Sequence, residues 1–449
     1  MNDTYPTSTI DALAAELRSI LGERGVSTEL AMREKASIDG AKLSPVIMEQ
    51  LPLGLADLVA FPATADEIVQ AVGAAVRHGV SITPRGKGTG NYGQAIPMPG
   101  GLVLDLSRAK AILGVGDGFV TAEAGATMIQ LETAARAAGQ ELLMYPSTAQ
   151  SSIGGFLSGG SGGTGSIEHG VISESGFVVA LDVVHAVADP VMIRVEGAEA
   201  QSYLHNYGTA GIIVRATVKL EPLREWRAFY ASFPAFEGAL SIIRELGQAT
   251  PTPRLVSADP PMLAAALPTD AAIPAGRASL RAILDVAALP AATALVEQTG
   301  GRVEDVRVGP QAVIKLSMIS YNHPVEWLQK AQPDTYFHVE VAGGALIERI
   351  DEVHAVYSGG MLHIEAQRDY PIGMLAGRYE SKAQMEAGLE RLKDLGVRVH
   401  NPHQWFVDFE VRRTKDLAAV TDPFRLLNPG KLVRDEKQPH GLMTVEAQR

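Results

Sequence analysis

The sequence PRGKGTGNYG at residues 84–93 places alternating glycines behind a basic residue. Glycine adopts positive φ without penalty and lets the main chain approach a ligand closely, so successive N–H groups can converge on one pyrophosphate. The run is neither a G-x-x-x-x-G-K-[ST] loop nor a G-x-G-x-x-G turn that opens a helix. Predicted strands at residues 80–83 and 102–106 flank it. The pattern therefore predicts a nucleotide cofactor held by a loop between two strands.

This strand, loop and strand resemble the FAD-binding domain of the vanillyl-alcohol oxidase family, also called the PCMH-type flavoproteins. Further segments match that family's pattern in the same order along the chain, at residues 100–107, 120–127, 146–155, 159–170, 208–220 and 428–432. An ordered series is far more specific than a single glycine loop. The resemblance implies FAD as cofactor and an α+β fold, in which a two-subdomain PCMH-type FAD-binding domain is joined by an α/β cap with an antiparallel sheet.

The same resemblance implies which residues bind FAD. In and beside the glycine loop they are Pro84, Arg85, Gly86, Lys87, Gly88, Thr89, Gly90, Asn91 and Gln94. In the later segments they are Pro146, Ser147, Ser151, Ile153, Gly154, Gly155, Gly159, Gly162, Gly163, His169, Gly170, Gly211, Ile212, Ile213 and Asn428. Relatives that attach FAD covalently use a histidine near the position of Thr89, and no histidine lies between His78 and His169. We therefore expect non-covalent FAD.

Composition sets limits on the function. A chain of 449 residues predicts two domains. Its net charge of −12 argues against nucleic acid as a partner. The absence of cysteine excludes disulfides, thiolate catalysis, iron–sulfur clusters and a flavin link through cysteine. The N-terminal sequence has no basic and apolar leader, and the apolar stretches are too short to span a bilayer, so we expect a cytoplasmic protein without membrane contact.

The pattern of elements changes near Pro222. Strands and helices alternate before it, including helices predicted at residues 9–21, 64–78 and 128–138. The predicted domains are an N-terminal part of the FAD-binding domain at 1–222, a substrate or cap domain at 223–396, and a C-terminal segment at 397–449. That last segment should return to the FAD domain, because the family packs its N-P-G-K segment there.

Two stretches of the predicted cap, residues 335–341 and 361–367, alternate polar and apolar residues, as strands do. The polar residues that share a face are Tyr336, His338 and Glu340 in the first, and His363, Glu365 and Gln367 in the second. Matching polar faces predict an antiparallel sheet with helices on its apolar side. In the family the exposed polar face looks onto the isoalloxazine, which makes these side chains candidate substrate contacts. The alternative is a face exposed only to solvent.

Histidines also cluster at residues 399–406. Relatives that oxidise 2-hydroxy acids carry G-x-x-x-G-E-H-G near this point, where Glu and His help to hold a divalent metal. Aligning His403 with that histidine puts Pro402 in the place of the glutamate, so we expect no metal, although His363, Glu365, His400 and His403 have suitable ligand types. His403 or His400 could instead be a general base, or a structural residue at a domain boundary.

A flavin accepts a hydride, and the protein must place a C–H bond and remove the neighbouring proton. The sequence thus predicts an FAD-dependent oxidase or dehydrogenase that oxidises CH–OH in an alcohol or 2-hydroxy acid, with oxygen or another acceptor. A small-molecule substrate is expected, and a homodimer is compatible with the sequence. Alternatives are an amine or sugar oxidase, a non-catalytic electron-transfer subunit and a flavin-free binding protein. The candidate catalytic residues are His403, His400, Tyr336, His338 and Glu340.

Overall fold

The computed structural model describes residues 5–433 of the chain. Residues 1–4 and 434–449, which include parts of the first and last predicted domains, lie outside the described residues. Helices and mixed or antiparallel sheets make this an α+β protein, as predicted. Over the described residues, no helix combines the length and the apolar character needed to cross a bilayer.

The first sheet has four strands in the order β1-β2-β4-β3. These are β1 (Val26–Ser27), β2 (Leu58–Ala60), β3 (Ile82–Arg85) and β4 (Leu102–Asp105). β3 and β2 both run parallel to β4. The glycine loop therefore connects two parallel neighbours, and it leaves the sheet at Arg85.

The second sheet has six strands and is built around its longest strand, β10. Its strands are β5 (Ile112–Gly116), β6 (Phe119–Glu123), β7 (Gln140–Leu142), β8 (Val178–Val184), β9 (Met192–Glu196) and β10 (Ile212–Pro222). β10 pairs antiparallel with β6, β7 and β8. The first two sheets share one apolar core with the helices of this part of the chain.

The third sheet has eight antiparallel strands in the order β14-β11-β13-β12-β16-β17-β15-β18. They are β11 (Trp226–Phe233), β12 (Leu255–Asp259), β13 (Ala278–Asp285), β14 (Arg302–Val308), β15 (Tyr336–Ala342), β16 (Met361–Glu365), β17 (Ile372–Arg378) and β18 (Arg398–His400). One face packs on a large core that includes Phe337, Val339 and Val341. The opposite face carries the polar residues.

Helices cover the sheets, and the three predicted from periodicity are found within two residues of their expected ends. In the first half they are α1 (Thr7–Leu21), α2 (Leu30–Ala36), α3 (Pro45–Met48), α4 (Ala65–Arg77), α5 (Met128–Ala137), α6 (Ile153–Gly159), α7 (Ser166–His169) and α8 (Gly197–Gln201). In the second half they are α9 (Phe236–Gly247), α10 (Pro261–Ala264), α11 (Leu289–Gln298), α12 (Pro310–Ser317), α13 (His323–Ala331), α14 (Ala345–Glu348), α15 (Ile350–His354), α16 (Lys382–Asp394) and α17 (Val411–Thr421).

The two alternating stretches are strands of one antiparallel sheet, β15 and β16, but three details differ from expectation. β17 lies between them. Gln367 falls beyond the end of β16, so it is not part of the shared face. The polar face is also not open to solvent, because Tyr336, His338 and His363 are buried there. Helices α10 and α13 and the loops of the N-terminal half cover it, which a strand pattern alone does not reveal.

The chain passes into the large sheet soon after Pro222, where β10 ends and β11 follows. β18 still pairs with β15, so residues 398–400 remain part of that sheet. Beyond it, Leu427 forms a parallel bridge with Ile82 of the first sheet. The division of the chain into three domain segments stays a prediction.

A fully buried ionic network lies on the polar face. Arg281 Nη2 is 2.5 Å from Asp259 Oδ2, and His363 contacts Asp259 at 2.8 Å and Glu365 at 2.7 Å. Burial disfavours the charged imidazole, but Asp259 and Glu365 outweigh that effect and raise the pKa of His363 to about 9. The positive charges of Arg281 and His363 balance the negative charges of Asp259 and Glu365 inside the sheet. Removing one of these groups would leave a buried charge without its partner.

Replacing Arg281 by methionine should lower the free energy of unfolding by about 3–5 kcal/mol, because it leaves the two buried carboxylates of the network, Asp259 and Glu365, with one cation, His363. Urea titration followed by circular dichroism measures the change. Arg302→Met is the matched control: the Arg302 side chain is 67% exposed, so solvent screens its charge and we expect little change in stability. Equal losses in the two variants would contradict a structural role for the buried network.

Candidate active site

The start of the glycine loop is shaped by Arg85. Its guanidinium donates from Nη1 to the carbonyl oxygens of Ile38 at 2.6 Å and Ala36 at 3.2 Å. Gly88 has φ +63°, and a Cβ there would lie 2.1 Å from the Arg85 guanidinium. A Cβ at Gly86 would lie 2.0 Å from a serine hydroxyl oxygen. Both positions therefore disfavour a side chain, as a backbone nest for a phosphate group does.

Segment 146–155 packs directly against this loop. The hydroxyl groups of Thr89 and Ser151 are 2.8 Å apart. Ser152, whose hydroxyl would meet a Cβ at Gly86, caps α6 by accepting the N–H of Gly155. The structure thus brings together two of the segments that the sequence assigned to the cofactor.

The far end of the loop is fastened by Asn428. Its Nδ2 donates to the carbonyl oxygens of Gln94 at 2.9 Å and Tyr207 at 2.7 Å. Its backbone is left-handed, with φ +39°. Its Oδ1 is buried and has no hydrogen-bond partner among the described residues, so it is available to a ligand.

The other predicted cofactor residues are distributed along the same half of the chain. Gly159 ends α6, Gly170 follows α7 with φ +77°, and Ile212 and Ile213 begin β10. A Cβ at Gly163 would lie 2.2 Å from a backbone carbonyl oxygen. Their roles as FAD contacts, with those of Pro84, Lys87, Gly90, Pro146, Ser147, Gly154, Gly162 and Gly211, stay predictions.

Asn91 contacts a residue that sequence reasoning missed. Its Nδ2 donates to Glu326 Oε1 at 2.6 Å, which joins the glycine loop to α13. Burial disfavours the carboxylate, but hydrogen bonds from His323 and Asn91 and the charge of Lys330 lower the pKa of Glu326 to about 2. The carboxylate is therefore ionised, and the Asn91 side chain is engaged by protein. Asn91 as an FAD ligand stays a prediction.

Three side chains from distant segments meet beside the loop. Tyr92 extends from the loop and its hydroxyl is 3.1 Å from His338 Nε2 on β15. The ring centroids of His338 and His403 are 5.6 Å apart, and those of Tyr92 and His403 are 6.4 Å apart. We call these three residues the imidazole cluster. Tyr92 was not among the predicted site residues, although it lies within the glycine-loop sequence.

Neighbouring groups fix the tautomer of His403. Its backbone N–H donates to Asn401 Oδ1 at 3.1 Å, and its Nδ1 is 2.8 Å from the same oxygen. Since that oxygen only accepts, Nδ1 carries the hydrogen and Nε2 carries the lone pair. Nε2 is buried and has no hydrogen-bond partner among the described residues. Burial, with the nearby His338 and His400, holds the pKa of His403 well below its usual range.

His400 has the opposite environment. Its Nδ1 is 2.9 Å from Glu340 Oε2 and its Nε2 is 2.8 Å from Asp408 Oδ2. Burial opposes the charge, but the two carboxylates raise the pKa of His400 to about 10. A ring that is protonated at neutral pH has no lone pair to accept a proton, so of the two roles that the sequence left open for His400, general base and structural residue, this geometry favours the structural one. Tyr336 packs in an apolar cluster with Leu263.

A cavity of about 1430 Å³ adjoins the imidazole cluster, and its lining includes Tyr92, Gln94, Gly159 and Glu340. It is bounded by α16 and by the segment that follows β18, which we call the return segment (residues 401–410). The volume exceeds the roughly 300–1,000 Å³ typical of small-ligand sites, so it can hold part of a cofactor and a further molecule.

The described residues with the spacing of a three-ligand metal site are Glu168, His169 and Glu221. Arg224 already contacts both carboxylates, at 2.6 and 3.2 Å. The Arg224 guanidinium therefore already supplies a positive charge to these two carboxylates. The expectation of no metal stays a prediction.

Comparisons with known proteins fit this geometry. Residues 56–191 match a model of the FAD binding domain. An FAD-linked oxidoreductase of Mycobacterium tuberculosis is 27% identical over 246 residues, covering 52% of this chain and 51% of that protein. The glycolate oxidase subunit GlcD of Bacillus subtilis is 34% identical over 182 residues, covering 38% of each chain. The solved structure of an alkyldihydroxyacetonephosphate synthase superposes with a TM-score of 0.73 at 15% identity, covering 93% of this chain and 85% of that one.

Residues 56–191 therefore form an FAD-binding domain similar to those of FAD-linked oxidoreductases. FAD is the cofactor of this protein. The resemblance drawn from the ordered glycine segments is thereby confirmed. The chain spans about half, or less, of the length of the curated relatives it matches. The substrate and the mechanism of those relatives therefore do not carry over to it directly.

Gly88→Ala should deplete the purified protein of FAD. Both this variant and the control Gly118→Ala place alanine at left-handed φ, which costs about 1 kcal/mol, but the space around Gly118 is open whereas a Cβ at Gly88 meets Arg85. The flavin-to-protein absorbance ratio should fall in Gly88→Ala and stay normal in the control.

Acid precipitation of the wild type should release all flavin into the supernatant, because we expect FAD to be bound without a covalent link. A yellow protein pellet would contradict non-covalent binding.

The raised pKa of His400 gives a pH signature. A group whose pKa rises on folding adds stability that is complete below its unfolded pKa of about 6.5. That stability is lost as the pH rises through the folded pKa of about 10. Thermal melts of wild type and His400→Gln should therefore differ most near pH 6.5 and converge above about pH 10. A difference independent of pH would show that His400 is not held as a cation.

Proposed function

We propose that this protein oxidises a CH–OH group, in an alcohol or a 2-hydroxy acid, as an FAD-dependent oxidase or dehydrogenase of the EC 1.1 class. One observation carries the proposal: a neutral histidine, His403, presents an unpartnered lone pair beside the loop assigned to the cofactor. FAD, when bound, supplies the hydride acceptor. The protein must then supply a base for the hydroxyl proton, and this is what His403 offers.

The surroundings of His403 suit that role. The side chain of Asn401 accepts the hydrogen of Nδ1, which orients the ring and leaves the lone pair on the unpartnered Nε2. The residue is only 5% exposed, so water competes little for the lone pair. After proton transfer the imidazolium keeps its hydrogen bond to Asn401. A base must lie within hydrogen-bonding distance of its proton, and Tyr92, whose ring centroid is 6.4 Å from that of His403, lines the cavity.

His338 and Tyr92 can position the substrate oxygen. Burial lowers the pKa of His338, so it is neutral at pH 7, and its Nδ1 is buried with no partner among the described residues. Its Nε2 is engaged with the Tyr92 hydroxyl. A substrate hydroxyl could bridge the free atoms of the two imidazoles. This arrangement argues against a non-catalytic electron-transfer subunit, which needs no desolvated base.

His403→Ala should slow anaerobic flavin reduction by about two to four orders of magnitude, the usual contribution of a positioned base. FAD content should stay normal, because the glycine loop is unchanged. Stopped-flow reduction under anaerobic conditions separates this step from re-oxidation. His78→Ala is the control, because His78 pairs with Glu16 and is not part of the imidazole cluster. The flavin of this variant should be reduced at the wild-type rate. A wild-type rate of flavin reduction in His403→Ala would show that His403 is a structural residue.

A further inference from the structure

Glu326 links two of the segments that the sequence assigns to the cofactor. Its Oε1 accepts a hydrogen bond from Asn91 of the glycine loop at 2.6 Å. Its Oε2 is 3.3 Å from Nδ1 of His323, and Nε2 of the same ring is 3.1 Å from the hydroxyl oxygen of Thr148 in segment 146–155. Each oxygen of one carboxylate on α13 therefore leads to a different cofactor segment.

The buried ionic network of the large sheet holds the turn from which α13 begins. Arg281 of this network donates from Nη2 to the carbonyl oxygen of Ile319 at 3.1 Å. Glu365 of the same network accepts the backbone N–H of Tyr321 at 2.7 Å. Tyr321 has φ +58°, a left-handed conformation that a residue other than glycine keeps where its surroundings enforce it. The start of α13 is therefore fixed to the sheet.

The carboxylate of Glu326 is a buried negative charge. Its side chain is 10% exposed, and it accepts hydrogen bonds from the neutral amides of Asn91 and Asn322. The ammonium of Lys330 is 3.7 Å from Oε2, but the Lys330 side chain is 46% exposed, so solvent weakens its effect. The negative charge beside the cofactor segments is therefore only partly compensated.

A fixed charge at this place acts on the electron affinity of the cofactor. Hydride transfer brings two electrons and one proton to a flavin, which thereby gains one unit of negative charge. A fixed anion opposes that gain, and at about 10 Å with an effective dielectric constant of about 20 it changes the equilibrium roughly tenfold. The electrostatic effect therefore has a definite sign: it favours the oxidised flavin.

We propose that Glu326 is a positioning residue that joins the two cofactor segments to α13 and whose negative charge lowers the reduction potential of the bound FAD. The charge disfavours uptake of electrons from the substrate and favours their onward transfer to the acceptor. The inference rests on FAD as the cofactor and is independent of the proposed oxidation of CH–OH.

The reduction potential of the FAD-loaded protein tests the charge. Glu326→Gln should raise it by about 30 mV, which is a tenfold change for a two-electron couple. Anaerobic titration with dithionite against a redox dye of known potential measures the shift without any substrate. Glu304→Gln is the matched control, because the Glu304 side chain is 8% exposed and lies on β14, four strands from β16 in the sheet. An unchanged or lower potential in Glu326→Gln would overturn the proposal.

A second variant separates the charge from the geometry of the loops. Thr148→Val removes the hydroxyl that contacts His323 and keeps the carboxylate of Glu326. Its reduction potential should equal that of the wild type, because no charge changes. A shift as large as that of Glu326→Gln would show that the loop geometry, and not the charge, sets the potential.

Lys330→Met replaces Glu326→Gln if the latter does not fold or does not retain FAD. It removes the cation beside Glu326 and leaves the two hydrogen bonds to the cofactor segments in place. The reduction potential should then fall, by less than the tenfold equivalent of about 30 mV, because the cation is partly screened by solvent. An unchanged or raised potential in this variant would contradict the assigned role of the charge.

Discussion

The glycine loop is held in place by contacts from three distant parts of the chain, and the site depends on this. Arg85 fixes its start to carbonyl groups near the N-terminus. Asn91 joins it to Glu326 of the large sheet's covering helices. The buried Lys431 donates to the carbonyl oxygen of Gly93 from the C-terminal segment. The loop conformation that suits a pyrophosphate is therefore a property of the whole tertiary structure, since these contacts join residues up to 338 positions apart in the sequence.

This arrangement couples cofactor binding to the chemistry. Tyr92 lies next to Gly93, so the contacts that shape the loop also place its hydroxyl against His338. β15 supplies His338, and the return segment supplies His403. No one segment contains the imidazole cluster, and it forms only when the large sheet packs on the loop. Buried, desolvated imidazoles of this kind are disfavoured in isolation and persist because the surrounding fold holds them.

The sequence predicted those features that local chemistry dictates. Glycines at fixed offsets indicated the nest, and period-two alternation indicated β15 and β16. It could not show that β17 intervenes between them, because Ile372–Arg378 carries no matching polar pattern. It also missed Glu326, which lies 235 residues from its partner Asn91. A lone glutamate is ordinarily a solvated residue, and only the tertiary contact distinguishes Glu326.

His400 and His403 show why residue type alone could not assign the base. They are three positions apart and have the same chemistry in solution. His400 lies between two carboxylates and gains a proton, whereas His403 lies against an amide oxygen and an aromatic ring and loses it. The protonated ring ties β15 to the return segment through Glu340 and Asp408. That fixed charge also lowers the pKa of His403, so the structural histidine helps to keep its neighbour neutral and available as a base.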